Sequence, residues 1–290
     1  MAPQLPASGR RMPKRASGPL SRRVLVTGGA HRLGALICQQ FAQDGWQVWC
    51  HAQNSAAAAQ ALCQHITSQG GHAQVVQADL ASGADRQRMM AQIEAQGGPL
   101  DCLVNNASSF EPDGARDFDE NAMRAQLEVN LIAPLALSRL MAQSLVASEA
   151  CADSGNSVLS GARSIIHVLD QKVLNLNPDY FSYTVSKLAL ERSVALQAQA
   201  LAPQIRVCGV APGLMFISGP QTQANFDQAS QMNLLQRAID PAQVAATCLF
   251  LANNPALNGV TLAVDNGQHL VPLSRDVMFV VDGAAKEPHA

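Results

Sequence analysis

Tyr183 and Lys187 stand four residues apart in a segment, residues 181–202, that contains few helix-breaking residues. On a helix such a pair lies on one face, with one side chain above the other. A phenol with its usual pKa of about 10 is a poor acid or base near neutral pH, and a fixed ammonium group lowers that pKa by favouring the phenolate. The spacing therefore predicts a tyrosine that can transfer a proton, although the same spacing also occurs by chance on solvated helix faces.

Asp170 follows the apolar run 165–169, which predicts a buried strand. Sites in α/β sheets lie at the carboxyl ends of strands, so this carboxylate could face Tyr183. We interpret Asp170 as part of the same proton-transfer site. A role in capping backbone amides at the strand end is the alternative interpretation.

Apolar runs that could form strands alternate with helical patterns along the chain. The predicted strands are residues 22–28, 47–51, 73–78, 100–104, 165–169, 205–210 and 259–265. The predicted helices are residues 33–41, 55–69, 82–96, 122–145, 181–202 and 240–251. This alternation predicts an α/β fold with a single Rossmann-type, doubly wound parallel sheet and helices on both faces. Right-handed crossovers would bring the strand ends to one edge.

A glycine-rich turn, residues 27–34, links the first predicted strand to the first helix. Backbone N–H groups and the helix dipole at such a turn attract a phosphate. The second strand ends without an acidic residue, which favours the 2′-phosphate of NADP over the bare ribose of NAD. The side chains that could bind this phosphate, if they are not ordinary surface residues, are Arg32, His51, Asn54 and Ser55. Asp79, after the third strand, could cap the adenine.

Composition excludes several classes of protein. The chain has 290 residues, 48% of them hydrophobic, which suits one sizeable core. With 14% charged residues and a net charge of −2, it offers no basic field for nucleic acid. Its seven cysteines form no C-x-x-C pair, so neither a disulfide framework nor a metal cluster is predicted, and a reducing cytoplasm fits best.

The two ends of the chain differ from the domain, which we predict to span residues 22–272. Residues 1–21 are basic and proline-rich, which predicts a disordered tail, with an organelle-targeting peptide as the alternative. Residues 273–290 are predicted to be a C-terminal tail. The polar stretch 214–236 is a candidate lid over a substrate. No uninterrupted apolar run is long enough for a membrane span, so no membrane association is expected.

Several motifs occur together in one order along residues 22–270. They are Thr27-Gly28 with Gly34, Asn105-Asn106-Ala107, Asn130, Tyr183-x-x-x-Lys187 and Pro212-Gly213. In this combination the chain resembles the short-chain dehydrogenase/reductase family. The resemblance implies a Rossmann fold, a nicotinamide cofactor, Tyr183 as proton donor, Lys187 binding the ribose, and Asn130 holding a proton-relay water. It also implies a homotetramer formed through the long helices and the closing strand.

The resemblance also implies a cofactor-binding set. Its members are Gly28, Arg32, Leu33, Gly34, His51, Asn54, Ser55, Asp79, Leu80, Asn106, Ala107, Ser108, Tyr183, Lys187, Pro212 and Gly213.

Two departures from the usual pattern resemble the pteridine reductase branch of the family. Asp170 stands where a serine is usual, and Arg32 stands where the middle glycine is usual. In that branch the arginine contacts cofactor phosphate and pterin, a phenylalanine stacks on the pterin, and the aspartate joins the proton relay. The substrate-binding set that this implies is Arg32, Ser108, Phe110, Asp170 and Tyr183. Two positions count against the resemblance. Proteins of that branch often have an arginine at the position of Asn54, and Asn266 stands where a glycine is frequent in the closing strand.

These observations predict an NADPH-dependent enzyme that reduces a dihydropterin to a tetrahydropterin. Hydride addition to a C=N carbon requires a proton on the ring nitrogen, and a carboxyl group suits that transfer. A carbonyl reductase acting on 3-oxoacyl or sugar ketones is one alternative, with Asp170 simply in place of serine and Phe110 an ordinary core residue. A catalytically silent NADP-binding sensor is an alternative of another class.

Overall fold

The computed structural model describes residues 22–151, 163–219 and 221–284. Within these ranges, seven strands form one sheet in the order β3-β2-β1-β4-β5-β6-β7, and every neighbouring pair is parallel. The order reverses between β1 and β4, which makes the groove above them the expected ligand site. The doubly wound parallel sheet predicted from the sequence is therefore confirmed. The predicted tail, residues 1–21, lies outside the described ranges.

The strands are short and mostly buried. They are β1 (Arg23–Val26), β2 (Gln47–Ala52), β3 (His72–Gln77), β4 (Cys102–Asn105), β5 (Arg163–Val168), β6 (Ile205–Pro212) and β7 (Thr261–Val264). The interior strands β4, β5 and β6 are buried along their whole lengths, as expected for strands covered on both faces.

Helices cover both faces of the sheet. They are α1 (Arg32–Gln43), α2 (Ala56–Ser68), α3 (Gly83–Gly97), α4 (Glu120–Leu127), α5 (Ala133–Cys151), α6 (Phe181–Leu201), α7 (Gln223–Ala229), α8 (Pro241–Asn253) and α9 (Val277–Ala284). On one face, Ile37 and Phe41 of α1 pack with Val244 of α8. On the other, Ile93 of α3 packs with Leu137 of α5.

A π-helical turn, Glu128–Ile132, separates α4 from α5 where the sequence predicted one helix over residues 122–145. The turn holds one more residue than an α-helical turn, and such turns are frequent at functional sites. Here it carries Asn130, whose side chain is fully buried.

One helical stretch, Glu120–Val146, is long and apolar enough to cross a membrane by length and composition alone. Leu137, Met141 and Leu145 on this stretch are at most 2% exposed and pack in the core against the sheet. We therefore assign this buried face of the stretch to the core.

The C-terminal residues differ from the prediction of a tail beginning at residue 273. Helix α9 packs Val277 and Val281 against Ala229 of α7. Asp276, just before the helix, forms an ion pair of 2.9 Å with the buried Lys172 after β5. These contacts join residues far apart in the sequence, so the folded domain extends to at least α9.

Three thiols lie beneath the turn between β1 and α1. A Cβ atom added to Gly29 would lie 2.9 Å from Cys50 Sγ and 3.0 Å from Cys38 Sγ, so the turn rests directly on these sulfur atoms. Cys63 of α2 is buried in the same core cluster as Cys38 and Cys50. This layer accepts no side chain at Gly29 without rearrangement.

Candidate active site

Two adjoining cavities run across the carboxyl ends of the strands, with volumes of 390 and 310 Å³. Arg32, Leu33 and Asn106 line both, so the two form one continuous cleft. The larger cavity lies over the glycine-rich turn, and the smaller one contains Tyr183 and Asp170. This arrangement suits an elongated cofactor lying beside a smaller substrate.

The glycine-rich turn is tied to the end of β4. Thr27 Oγ1 accepts hydrogen bonds from the backbone N–H groups of Asn106 at 2.9 Å and Ala107 at 3.0 Å. The Asn106 amide donates back to the Thr27 carbonyl at 2.9 Å. Gly28 has a φ of +62°, and a Cβ on Gly34 would overlap the Gly28 carbonyl oxygen. Both glycines are therefore required for the turn to pack this closely on itself and on the end of β4.

Arg32 occupies a backbone conformation that favours glycine. Its φ is +48°, and its exposed guanidinium group lies 5.9 Å from the ring centroid of Phe216. A non-glycine residue held there stores conformational strain of about 1 kcal/mol or more, which functional sites often retain. The side chain is placed at the junction of the two cavities.

His51 differs from the prediction that it binds a cofactor phosphate. Its Nδ1 accepts from the Gly28 N–H at 3.1 Å, and its Nε2 lies 3.1 Å from the Ala78 carbonyl oxygen. Burial lowers the pKa of the ring below its usual value. A neutral imidazole donating to Ala78 and accepting from Gly28 satisfies both contacts. The ring lines the cleft, but both nitrogen atoms serve to position the turn.

The remaining residues of the predicted cofactor set divide into two groups. Those that line the cleft are Leu33, Gly34, Leu80, Asn106, Ala107, Ser108, Pro212 and Gly213. Asn54, Ser55 and Asp79 are not among the described residues that form its walls. Ser55 is the residue before α2, and one oxygen of Asp79 accepts from the Ala81 N–H at 2.9 Å.

The smaller cavity brings Tyr183 and Asp170 into contact. The Tyr183 hydroxyl donates to Asp170 Oδ2 at 2.9 Å, and Asp170 Oδ1 accepts from the Lys172 N–H at 2.8 Å. Lys187, one turn along α6, donates from Nζ to the Val168 carbonyl at 2.8 Å and lies 5.7 Å from the Tyr183 ring centroid. The tyrosine, aspartate and lysine thus meet where β5 ends, as the sequence suggested.

The electrostatics of this group favour a protonated tyrosine. Burial and the adjacent Asp170 carboxylate raise the pKa of Tyr183 well above its usual value. Burial also raises the pKa of Asp170 and lowers that of Lys187 to about 8. The expectation that Lys187 lowers the tyrosine pKa is not met here, because burial and, after it, the contact with the Asp170 carboxylate both raise that pKa. A phenol held in this form is suited to donate a proton.

Asn130 joins three segments around the site. Its Oδ1 accepts from the Ser109 N–H at 2.8 Å and from the Ser108 hydroxyl at 3.2 Å. Its Nδ2 donates to the Ser109 carbonyl at 2.8 Å and to the Ser186 hydroxyl at 3.0 Å. These bonds fix the loop after β4 against α6. The relay water that the family resemblance implies stays a prediction.

Phe110 belongs to an aromatic cluster at the cavity wall. Its ring stacks on Tyr180 at a centroid distance of 4.1 Å and meets Tyr183 edge-on at 4.6 Å. The ring therefore packs against the Tyr183 phenol as well as lining the cavity. The predicted contact of Phe110 with a substrate ring would use the part of the ring that faces the cavity.

Sequence reasoning missed part of the cavity wall. The lining residues that were not predicted include Gln171, Lys172, Gln268, Asp276 and Val277, whereas Met215 and Phe216 belong to the predicted lid 214–236. The position of Gln171 and Lys172, directly after Asp170, is a signal that could have identified them. Asp276 gave no local signal, because its partner Lys172 is distant in the sequence.

Comparison with known proteins agrees with this geometry. The chain matches the family profile described as enoyl-(acyl carrier protein) reductase over residues 28–269. It is 31% identical to pteridine reductase 1 of Leishmania tarentolae over 292 aligned positions, which cover 88% of this chain and 98% of that protein.

Two solved structures are also similar. FolM alternative dihydrofolate reductase 1 of Brucella suis, in complex with NADP, is 35% identical, with a TM-score of 0.78 and coverage of 86% of this chain and 95% of that one. The Brucella canis protein of the same name, also with NADP, is 34% identical, with a TM-score of 0.78 and coverage of 86% and 94%. Motifs, sheet order and relatives agree, and the chain belongs to the short-chain dehydrogenase/reductase family.

Proposed function

We infer that this oxidoreductase catalyses the NADPH-dependent reduction of a dihydropterin to a tetrahydropterin. The observation that carries this inference is the 2.9 Å hydrogen bond between Tyr183 and Asp170 inside a cavity that Phe110 also lines. Reduction of a ketone needs one proton donor at oxygen. Reduction of a ring C=N bond needs a proton at nitrogen, which a carboxyl-linked phenol can supply.

The cleft fits a nicotinamide dinucleotide. Gly28 and Gly34 allow the turn to pack tightly against the end of β4, and the turn opens α1, whose N-terminus favours the negative charge of a pyrophosphate. No carboxylate stands at the end of β2, where Gln53 and Asn54 are exposed. Arg32 supplies a positive charge at the junction of the cavities. When bound, the reduced nicotinamide supplies the hydride.

The chain's own residues account for the proton. Tyr183 would give its proton to the ring nitrogen, and Asp170, once it has taken up a proton from water, would return one to the phenolate through their hydrogen bond. Lys187, charged below its pKa of about 8, would bind the ribose hydroxyls, as the family resemblance implies, and stabilise negative charge on the phenol oxygen. Asn130 keeps the loop after β4 in register with α6.

The relatives support this assignment without deciding the substrate. One is named as a pteridine reductase and two as alternative dihydrofolate reductases, and all three names refer to a reduced or reducible pterin ring. At 31% to 35% identity the proposal depends on the residues of this chain. Asp170, Tyr183 and Phe110 are those residues.

The experiment is a comparison of substrates for NADPH oxidation. Purified protein is assayed with dihydrobiopterin and dihydromonapterin and, in parallel, with a panel of 3-oxoacyl and sugar ketones. We expect turnover with a dihydropterin to exceed turnover with every ketone. Turnover of a ketone alone would support the carbonyl reductase alternative, and NADPH binding without turnover of any substrate would support a sensor.

A further inference from the structure

Helix α3 has an arginine in its buried face. The residues of this face, Arg86, Met89, Met90 and Ile93, recur at the spacing of an amphipathic helix. Arg86 is 8% exposed, whereas the side chain of Arg88 on the same helix is 71% exposed. A buried guanidinium group destabilises a fold unless it is paired and hydrogen-bonded. The partners of Arg86 therefore indicate its role.

The guanidinium group of Arg86 joins two segments that are distant in the sequence. Its Nη1 atom donates to the carbonyl oxygen of Leu80, in the segment after β3. The same atom donates to Glu128 Oε1 at 2.7 Å, and Glu128 is the first residue of the π-helical turn. One nitrogen atom thus connects the segment after β3 to the π-helical turn.

Both connected segments belong to the wall of the larger cavity. Leu80 lines this cavity, and so does Val129, which directly follows Glu128. Arg86 is not among the described residues that form the wall. The arginine therefore sets how two parts of the wall lie relative to each other, without facing the bound cofactor itself.

The π-helical turn also leads to the catalytic tyrosine. Asn130, two residues after Glu128, donates to the Ser186 hydroxyl at 3.0 Å. Ser186 in turn donates to the Tyr183 carbonyl at 2.6 Å. A displacement of the turn would pass through these hydrogen bonds to the residue that transfers the proton.

Stability alone does not account for a guanidinium group at this position. Replacement of a buried ion pair by apolar side chains is often neutral for stability. The other three residues of the buried face are apolar, so a fourth apolar residue would suit the packing. An apolar side chain cannot supply the directed hydrogen bonds that Arg86 makes to Leu80 and Glu128.

We propose that Arg86 is a positioning residue, which acts through Glu128 to hold the π-helical turn and Asn130 in register with Leu80. It thereby maintains the cofactor cavity and the placement of Tyr183. The effect on turnover rests on the proposed function, whereas the effect on NADPH binding does not depend on which substrate is reduced.

The test separates positioning from stability with four variants of the pair. Arg86→Met and Glu128→Leu each remove one partner, and the double variant removes both. Glu128→Gln keeps a side-chain oxygen that can accept from Arg86. The control is Arg124→Met, since Arg124 and Glu120 also form an ion pair of 2.7 Å but have side chains that are 67% and 72% exposed.

Three quantities are measured for each protein. They are the Kd for NADPH from a fluorescence titration, kcat for dihydropterin reduction, and the midpoint of thermal unfolding. Glu128→Leu should lower the midpoint, because it leaves the buried charge of Arg86 without its carboxylate. The midpoint of the double variant should return close to that of the wild type, since no unpaired charge remains.

The kinetic losses should remain in the double variant although its stability recovers. We expect kcat to fall by about tenfold to 100-fold in Arg86→Met, Glu128→Leu and the double variant, the range for a small displacement of catalytic groups. The Kd for NADPH should rise by about threefold to tenfold in all three, as for the loss of one hydrogen bond. Glu128→Gln should lose less than Glu128→Leu, and Arg124→Met should match the wild type.

Other outcomes would overturn the proposal. Wild-type kcat and Kd in the double variant would assign the pair to stability alone, and so would losses that follow the midpoint through all the variants. Equal losses in Glu128→Gln and Glu128→Leu would show that the hydrogen bond does not position the turn. If the wild type reduced no pterin, the proposed function would fail, while the Kd for NADPH of the double variant would still decide this inference.

Discussion

Asp170 and Tyr183 share one hydrogen bond, and removal of either changes the environment of the other. We expect Tyr183→Phe and Asp170→Asn each to lower kcat for dihydropterin reduction by about 100-fold or more, because each interrupts proton delivery. The double variant should be little worse than either single variant, since effects within one unit are not additive. Steady-state NADPH oxidation measures all three.

The chain offers a matched control, because its second tyrosine, Tyr180, lies in the same aromatic cluster. Tyr180→Phe removes a phenol hydroxyl that the proposed mechanism does not use and should keep most of the activity. Fully multiplicative losses in the double variant would show that Asp170 and Tyr183 act independently.

The lowered pKa of Lys187 predicts that the activity depends on pH. Burial lowers its pKa from the usual value of 10.5 to about 8, so the ammonium loses its proton as the pH rises through that value. Because ribose binding and phenolate stabilisation both use the charged form, kcat/KM should fall as the pH rises through about 8. The pKa of Tyr183 is raised well above its usual value, so the tyrosine cannot account for a fall near pH 8.

The matched variant for this prediction is Lys187→Arg. Arginine keeps its charge at every pH at which the protein is folded. Although a bulkier group at this buried position should lower the maximal rate, the fall should move to higher pH. A fall that stays near pH 8 in the arginine variant would assign the titration to another group.

Single residues also show where sequence reasoning stops. The types and spacing of Tyr183, Lys187 and Asp170 were enough to predict that they meet. The direction of the tyrosine pKa and the internal role of His51 were not predictable, because each depends on which atom lies nearest in three dimensions. Burial and contact distances decide the pKa of the tyrosine and the role of the histidine, and a local sequence pattern predicts neither the burial nor the distances.

At the level of elements, the start of α2 provides a test of cofactor preference. Ser55 is the N-cap residue of α2, and its side chain makes no capping hydrogen bond. Aspartate and asparagine are both good N-cap residues, so neither should destabilise the helix. Ser55→Asp should shift the ratio of kcat/KM for NADPH to that for NADH toward NADH, because the added charge repels a 2′-phosphate.

Ser55→Asn is nearly identical to that variant in shape but adds no charge, so its cofactor ratio should remain close to that of the wild type. Equal kcat/KM values for NADPH and NADH in the wild-type enzyme would show that the end of β2 does not select the phosphate. A similar shift in both variants would point to the shape of the loop instead.

Val277, the first residue of α9, and Asp276 just before it form part of the cavity wall. A protein that ends at residue 272 should therefore bind its pterin more weakly, with KM raised about tenfold or more, equivalent to roughly 1.4 kcal/mol of lost contact. Its Kd for NADPH should change little, because the larger cavity does not include α9. A protein that ends at residue 284 keeps the helix and serves as the control.

The KM of the truncated protein can be interpreted only if that protein still folds. Lys172 would lose its partner Asp276 while remaining buried, which costs about 3 kcal/mol, so the midpoint of thermal unfolding should fall. Retained NADPH binding shows that the sheet is intact. An unchanged pterin KM in a protein that still binds NADPH would exclude α9 from substrate binding.

Elements differed in how well the sequence predicted them. Alternating apolar runs identified the strands and the long helices, because each must bury one face or both. The π-helical turn Glu128–Ile132 was not predicted, because its one extra residue hardly changes the composition and a search for a single helical period does not detect it. Helix α9 was not predicted, because a short terminal segment has only a weak helical preference of its own. Distant contacts stabilise it: its apolar side chains pack against Ala229, and the adjacent Asp276 pairs with Lys172.

For the whole molecule, exposed apolar side chains on α5 and α6 support the expected homo-oligomer. Val146 is 69% exposed and Leu196 is 66% exposed, and a cavity lined by Leu135, Ala142 and Leu201 lies between these helices. A monomer gains nothing by presenting such a surface to water, whereas a second copy would cover it. We predict a tetramer of 30.6 kDa chains, to be measured by light scattering at micromolar concentration.

Leu196→Glu places a charge on that surface and should reduce the measured mass. Leu234→Glu adds the same charge at a position that is 57% exposed in the segment between α7 and α8, and it should leave the mass unchanged. A wild-type mass of one chain would reject the prediction of a tetramer.

The thiols beneath Gly29 have a consequence for chemical labelling. Cys38, Cys50 and Cys63 are buried, so a bulky alkylating reagent reaches them after the turn has lifted from the sheet. Their modification rate then measures how often this part of the molecule opens, without an attached probe. A dinucleotide lying on the turn would slow that opening, so saturating NADP should protect these three sulfur atoms from the reagent more than it protects Cys248, which is buried in α8.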